Sequence, residues 1–301
     1  MSNRVGVDVG GSWMRAGVVE GNAKEGRVSQ FAKHQTPPDW DHFVEILRPY
    51  ATAADGFGVA VSGPIADHAC VIRGPNIPWL EGRNVRRELE AALGKRVIVS
   101  NDMEAATAGE MARGVLKGYS WAIFDTISTG WGGNLILDGK RVASEPGHAN
   151  ESFDSPYCCG SGHVGCLEAL YSGTGMERRI AEHLPRPLIP KTASTELWDA
   201  FHDAVDRELD WALALLDNWA EGVGRAWANV LNRIRPIQVI VYMGMTAEML
   251  LPISCVQERL RHTMRRICMY PEHRAPEFPI LPAQEKNRAI FGAVIVYEEA
   301  P

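Results

Sequence analysis

Two glycine-bearing turns carry the strongest chemical signal in this chain. Asp8-Val9-Gly10-Gly11-Ser12 and Ser128-Thr129-Gly130-Trp131-Gly132-Gly133 each follow a short apolar run. Glycines let main-chain N–H groups approach phosphate oxygens closely, and a carboxylate at a strand end, here Asp8, can face a hydrated Mg²⁺. Thr129 brings a hydroxyl to the second turn. Read alone, the first turn is equally a tight hairpin with Asp8 as an ordinary turn acceptor. Neither turn fits GxxxxGK(S/T) or GxGxxG, so a P-loop NTPase and a dinucleotide-binding dehydrogenase both lose their usual signature. The two turns read together as halves of one phosphate-binding cleft, with Gly10, Gly11, Ser12, Thr129, Gly130 and Gly132 on the phosphate side.

A third signal is Asn101-Asp102, which follows the apolar run VIVS and precedes the helical run MEAATAGEMARG. A carboxylate at that junction can accept a hydroxyl proton while the adjacent amide orients the same substrate. The plain alternative is a helix cap. Further on, Glu145 and His148 sit in SEPGHAN, and residues 157–168 read YCCGSGHVGCLE, with Cys158, Cys159, His163 and Cys166. Thiolates and imidazole in one compact stretch can close a tetrahedral Zn²⁺ site that pins a loop. Scattered buried cysteines are the alternative reading.

These groups need a scaffold to position them. Residues 5–9, 16–19, 57–61 and 97–99 are short apolar runs broken by Gly, Pro, Asn and Asp, the pattern of a mixed sheet, and the first two can form a hairpin across Gly10-Gly11. Residues 40–50 and 84–93 have helical spacing, the second with Asn84 as a candidate cap. A second sheet starts at Trp121 and continues through GGNLILDGKRV, with a late strand over 239–242. Residues 208–234 return an apolar group every three to four positions, as a helix or a helix pair with a bend at Gly222 and Gly224. The tract PLIPKTASTELWDAF supplies a loop and a helix cap at Ser194 or Thr195. Residues 271–282 read as a Pro-rich connection, and 285–297 as a terminal helix that returns to the first domain. The expected organisation is a smaller α/β domain over 1–115 plus 285–301, and a larger one over 116–284 carrying the metal-type loop. A strand, a glycine turn and a strand thus recur, although the halves share too little sequence to establish a repeat.

Composition narrows the functional classes. The 301 residues, 46% of them hydrophobic, suffice for two cores flanking a cleft. A net charge of −6 with no long basic run offers little to hold a polyanion, so nucleic acid is not an expected partner. No signal-like segment opens the sequence and no stretch approaches a membrane span, so a cytoplasmic protein without membrane contact is expected. The even count of six cysteines would suggest disulfides only in a secreted protein; in a reducing compartment the three clustered ones, Cys158, Cys159 and Cys166, point to a metal instead.

In combination and in this order, the motifs resemble the ROK family of sugar kinases and regulators, within the actin-like ATPase superfamily, over essentially the whole chain. DVGGSWMRAG is similar to the family's phosphate-binding DxGGTxxxxG start, with Ser12 where Thr is usual. SGPI, PNIPW and NDMEAATAGE correspond to family landmarks, STGWGGNLILDGK to its second phosphate turn, and EPGH with CCGSGHVGCLEALYSG to its sugar and zinc region. The resemblance implies a two-lobed actin-like ATPase (ribonuclease H-like) α/β fold with a central cleft, Mg-ATP and a structural Zn²⁺ as cofactors, and a homodimer or homotetramer. It implies Asp102 as catalytic base, Asn101, Glu145, His148 and Glu168 as partners of sugar hydroxyls, and Gly63 and Asn76 on the pocket wall. His148 would also ligate zinc, beside Cys158, Cys159 and Cys166.

The chain departs from the family pattern at three places. The usual CxCGxxGC is altered, because Cys158 and Cys159 are adjacent and two residues are added before Gly165-Cys166. Vicinal cysteines cannot copy the bite of a CxC pair, so His163 stands as the alternative to Cys158. Met243-Gly244-Met245 replaces a common GGG, which would crowd an adenine or ribose while keeping Gly244 as a nucleotide contact. Ser128 and Asn134 replace two usual glycines of the second turn. The implied activity is ATP-dependent phosphorylation of a hexose 6-hydroxyl, with glucokinase first and an N-acetylhexosamine kinase or fructokinase as alternatives. A non-catalytic sugar-binding regulator is a further alternative, disfavoured by the low basicity and the retained Asp102.

Overall fold

The computed structural model describes residues 3–74, 76–185, 188–190 and 192–301. Its first elements are strands β1 (Arg4–Val9), β2 (Trp13–Glu20) and β3 (Arg27–Gln35), helix α1 (Trp40–Leu47), strand β4 (Gly56–Val61), the short pair β5 (Ile65–Ala66) and β6 (Cys70–Val71), helix α2 (Val85–Leu93), strand β7 (Arg96–Asn101) and helix α3 (Asp102–Arg113). Strands β8 (Trp121–Ile127), β9 (Trp131–Leu137) and β10 (Lys140–Ser144) follow, then helices α4 (Leu167–Tyr171), α5 (Gly173–Ala181), α6 (Ser194–Asp206) and α7 (Asp210–Arg233). Strand β11 (Val239–Met243), helices α8 (Met245–Leu250), α9 (Ser254–Ile267) and α10 (Pro271–Arg274), strand β12 (Ile280–Pro282) and helix α11 (Arg288–Glu299) complete the order. The chain divides into two compact units, Met1–Tyr119 with Ala283–Pro301, and Ser120–Pro282.

Unit 1 is built on a sheet of order β3-β2-β1-β4-β7. Strands β1, β2 and β3 form an antiparallel meander, and β4 and β7 run parallel to β1. Every residue of β4 is buried, as expected of a central parallel strand covered on both faces. The two-residue period of a strand divides β7 between two cores. Val97 and Val99 pack with α1 and α2, whereas Ile98 packs with Ile290, Val294 and Ile295 of α11. Asn84 caps α2 as expected, accepting the Arg87 N–H at 3.0 Å. Strand β3 was not expected, because RVSQFAKHQ is largely exposed and carries no apolar face.

Unit 2 repeats the topology. Its sheet has the order β10-β9-β8-β11-β12, again an antiparallel meander followed by two parallel strands. The duplication that the sequence suggested without establishing is therefore present at the level of strand order and direction. Strand β12 and the short helix α10 occupy the segment read as a plain connection; only three residues pair, too few for a periodic signal.

One local expectation is resolved and one is corrected. Helix α7 runs unbroken for 24 residues, so the segment is one helix and not a helix pair. Gly222 is a close-approach position, since a Cβ there would lie 2.2 Å from Cζ of Tyr171. Helix α6 begins at Ser194 with Ala193 in the cap position and no side-chain cap, so neither Ser194 nor Thr195 caps it. Pro187 and Lys191 of the preceding loop, and Pro75 of the PNIPW motif, lie outside the described residues.

One buried carboxylate fastens the C-terminal segment to unit 1. Glu110 of α3 is fully buried and accepts the backbone N–H groups of Val115, Gln284 and Glu285 at 2.9, 2.8 and 3.1 Å, with Arg288 Nε at 3.3 Å. Removing one member of such a buried set strands the others without solvent. Glu110→Ala is expected to destabilise the protein by about 3–5 kcal/mol in urea unfolding; a change within experimental error would show that the latch is dispensable.

Candidate active site

The first glycine turn is the tip of the β1–β2 hairpin. Gly10 N–H donates to the Trp13 carbonyl at 3.0 Å, and Thr36 holds the turn from β3's end through its Oγ1 to the Gly10 carbonyl and its N–H to the Ser12 carbonyl, at 2.5 and 3.0 Å. The hairpin register sets Asp8 opposite Arg15, whose Nη1 lies 2.8 Å from Asp8 Oδ2. Burial pushes the Asp8 carboxyl above its ordinary value, and Arg15 partly offsets that push. Sequence reasoning missed Arg15, although hairpin pairing across Gly10-Gly11 was signal enough to find it. Gly11 abuts Asn76, whose Cβ lies 2.8 Å from where a Cβ on residue 11 would stand. Asn76 and the first turn are thus brought together within unit 1, with exposed Ser12 beside them.

Asn101 and Asp102 stand where β7 passes into α3. Asn101 caps the helix, its Oδ1 accepting the N–H groups of Met103 and Glu104 at 2.8 and 3.3 Å. Its Nδ2 donates to the Gly63 carbonyl at 2.9 Å, which joins the SGPI segment to the same site. The cap reading is therefore correct for Asn101. Asp102, the first helical residue, is half-buried and accepts the Met103 N–H at 2.8 Å. Capping holds the start of α3 rigid, and with it the Asp102 carboxylate.

In unit 2 the second turn is confined to Ser128, Thr129 and Gly130, between β8 and β9; Gly132 lies within β9, paired with Thr126. Ser128 N–H closes the turn on the Gly130 carbonyl at 2.9 Å. The start of α5 clamps it from outside, Gly173 N–H donating to the Ser128 carbonyl at 2.5 Å and Thr174 N–H to the Thr129 carbonyl at 3.3 Å. Thr246 Oγ1 of α8 donates to the Ser128 carbonyl at 3.3 Å. Gly244 has φ +95°, and a Cβ there would lie 2.6 Å from the Ile127 carbonyl, so this glycine sits against the end of β8 that feeds the turn. Its neighbour Met245 is 48% exposed.

Glu168 of α4 accepts the Trp131 N–H at 3.0 Å and thereby meets the residue that follows the second turn. Glu145 is exposed as a residue, yet desolvation of its carboxyl raises it above the ordinary value, His148 opposes this and Glu168 adds to it. Glu145, His148 and Glu168 therefore share one electrostatic neighbourhood, as a set of hydroxyl partners requires.

Donor atoms of His148, Cys159 and Cys166 all lie within 4.8 Å of one another. His163 adds a fourth group, with Nδ1 3.7 Å from Cys159 Sγ and 3.2 Å from His148 Nδ1. Cys158 does not join them. It is exposed, and its backbone forms an antiparallel bridge with Val164. Neighbours in extended chain point to opposite sides, so burying Cys159 turns Cys158 outward. Burial, with Cys159 alongside, pushes the Cys166 thiol up to about 11. A divalent cation would supply the counter-charge that two adjacent buried thiolates lack, and a set of two sulfurs and two imidazoles suits tetrahedral zinc.

The profile of the ROK family matches residues 4–300. The chain belongs to the ROK family. It is 32% identical over 194 residues to a glucokinase of Streptomyces coelicolor, 59% of each chain, and 29% identical over 202 residues to the N-acetylgalactosamine kinase AgaK of a Shewanella species, 63% of each. The chain thus matches about three-fifths of the length of these relatives. The crystal structure of a ROK family glucokinase from Streptomyces griseus in complex with glucose and AMPPNP superposes with a TM-score of 0.74 at 25% identity, covering 98% of both chains. The actin-like ATPase fold expected from the motifs is the fold of this ROK protein. Among the described residues no helix is long and apolar enough to cross a membrane.

Beneath the second turn, the indole N–H groups of Trp131 and Trp227 both donate to Asp125 Oδ2, at 3.1 and 2.9 Å. Asp125 is 3% exposed, and burial raises its pKa to about 6 against the two indole hydrogen bonds. A raised carboxyl pKa favours the folded state at low pH, and that contribution is lost as pH rises from about 4 through 6. Asp125→Asn keeps an oxygen for both indoles and does not ionise. Relative to wild type, the variant is expected to gain roughly 3 kcal/mol of stability between pH 4 and pH 7 in denaturant melts; a pH-independent difference would contradict the assignment.

Proposed function

We propose that this protein is an ATP-dependent hexose kinase that phosphorylates the sugar 6-hydroxyl, with glucose as first substrate. The observation that carries the reading is Asp102, half-buried at the capped start of α3 in a chain of this family. Asp102 would take the proton of the 6-hydroxyl as its oxygen attacks the γ-phosphorus, while the bond to the bridging oxygen breaks and ADP leaves with the electron pair. Asn101 orients Asp102 and the sugar, Gly63 and Asn76 form the wall of the sugar pocket, and Glu145, His148 and Glu168 accept or share sugar hydroxyl protons. Asp8 with Gly10, Gly11 and Ser12 in unit 1, and Thr129, Gly130, Gly132 and Gly244 in unit 2, would serve the Mg-ATP phosphates and ribose. Support for glucose and a nucleoside triphosphate comes from the Streptomyces proteins, whereas the Shewanella relative supports an N-acetylhexosamine as the second reading. A cytoplasmic homodimer or homotetramer is part of the proposal.

A structural Zn²⁺ is proposed on His148, Cys159, Cys166 and His163, in place of the set containing Cys158. It would fix the loop that leads into α4, the helix carrying Glu168, and would supply no reacting group. Metal analysis of reduced protein is expected to give one zinc per chain in wild type and Cys158→Ser and much less in His163→Ala; retention in His163→Ala with loss in Cys158→Ser would restore the cysteine.

A coupled ADP-release assay over glucose, mannose, fructose, N-acetylglucosamine and N-acetylmannosamine tests the activity itself. One preferred hexose is expected, and binding without turnover from any phosphate donor would favour a sensor. Asp102→Ala is expected to bind that hexose normally and turn over at least about a hundredfold more slowly; near-normal turnover would remove Asp102 from the chemistry.

A further inference from the structure

A single side chain, Glu168, links the residues read as the sugar side of unit 2 to its second glycine turn. Its Oε2 takes the Trp131 N–H at 3.0 Å and also fills the space beside Gly130, where a Cβ would lie 2.6 Å from that oxygen. The turn itself is clamped from the other side by Gly173, Thr174 and Thr246, so the Glu168 contact is its tie toward the metal-type loop. Glu168 belongs to α4, whose N-cap is Cys166, with Cys166 Sγ accepting the Ala169 N–H at 3.4 Å. A carboxylate with one oxygen committed to a backbone N–H cannot rotate freely, and its second oxygen is therefore aimed.

We propose that Glu168 is a positioning residue for the second phosphate turn, coupling acceptor-sugar binding to the placement of Gly130 and the Trp131 N–H. The inference rests on the reading of Glu168 as a hydroxyl partner of the sugar. A sugar hydroxyl donating to the free oxygen holds the carboxylate in the plane that the Trp131 N–H requires, so the turn is ordered before the phosphate donor is engaged. Conversely, any group at position 130 displaces the carboxylate. The obstructing atom is the end of a flexible side chain rather than backbone, so Gly130→Ala shifts Glu168 while the turn remains foldable. A substitution on the phosphate side then acts on the sugar side.

The test is calorimetric binding of glucose, or of whichever hexose the wild type turns over fastest, to nucleotide-free protein. Wild type, Gly130→Ala, Glu168→Ala and the double variant are compared, with circular dichroism verifying the fold. Gly130→Ala is expected to raise the hexose Kd at least about tenfold, and the double variant to bind no worse than Glu168→Ala alone, the signature of a shared interaction. An unchanged hexose Kd in Gly130→Ala, or additive losses in the double variant, overturns the coupling while leaving a kinase in place. Wild type that binds and phosphorylates no hexose overturns the functional reading and this inference with it. Should Gly130→Ala fail to fold, steady-state kinetics of Glu168→Ala and Glu168→Gln carry the test. The alanine is expected to raise the Mg-ATP KM at least about fivefold and the glutamine, which keeps an oxygen for Trp131, to restore most of it; an unchanged Mg-ATP KM in Glu168→Ala is the contrary result.

Discussion

A carboxylate pressed against a glycine is the constraint on which the unit 2 site depends. Glu168 can reach the Trp131 N–H only because residue 130 has no side chain, and it is delivered there by α4, which starts at Cys166. The spacing from Cys166 to Glu168 therefore connects the thiol and imidazole cluster to the second glycine turn in less than one helical turn. Trp131 is tied twice, its main chain to Glu168 and its indole to Asp125, so the strand leaving the turn is fixed on both sides. A loop pinned by metal would transmit its rigidity along this route without itself meeting a reactant.

The duplicated topology explains why two turns of similar chemistry exist. In each unit the first two strands of the meander meet at a glycine turn, and the parallel strands that follow present their C-terminal ends on the same side as that turn. In unit 1 this places Asn101-Asp102 at the end of β7, and in unit 2 it places Gly244 at the end of β11. Binding groups at strand C-termini are the expected result of parallel strands followed by helices. The same arrangement carries different residues: an acid, Asp102, in one unit and a positive-φ glycine, Gly244, in the other.

Much of this was readable from residue order because the signals are local. The hairpin across Gly10-Gly11, the Asn84 cap and the buried run of β4 follow from neighbouring residues alone. What escaped depended on partners far along the chain or on very short elements. Glu110 looks like an ordinary helix glutamate until residues 284 and 285 are known to return to it. Strand β12 has three residues, and β3 is polar on both faces, so neither carries the alternation by which strands are recognised. Gly222 was read through its backbone freedom, whereas its role is to make room for Tyr171. The adjacency of Cys158 and Cys159 already put Cys158 in question with His163 as its alternative, and the exposure of Cys158 and its bridge to Val164 supply the reason that adjacency alone did not.

The most direct measurement is a crystal structure of the ternary complex with the preferred hexose and a non-hydrolysable Mg-nucleotide. The expected result places the sugar 6-oxygen within about 3 Å of an Asp102 carboxylate oxygen, with Glu168 bridging a sugar hydroxyl and the Trp131 N–H. A 6-oxygen facing away from Asp102, or a Glu168 released from the turn when the sugar is bound, would contradict it.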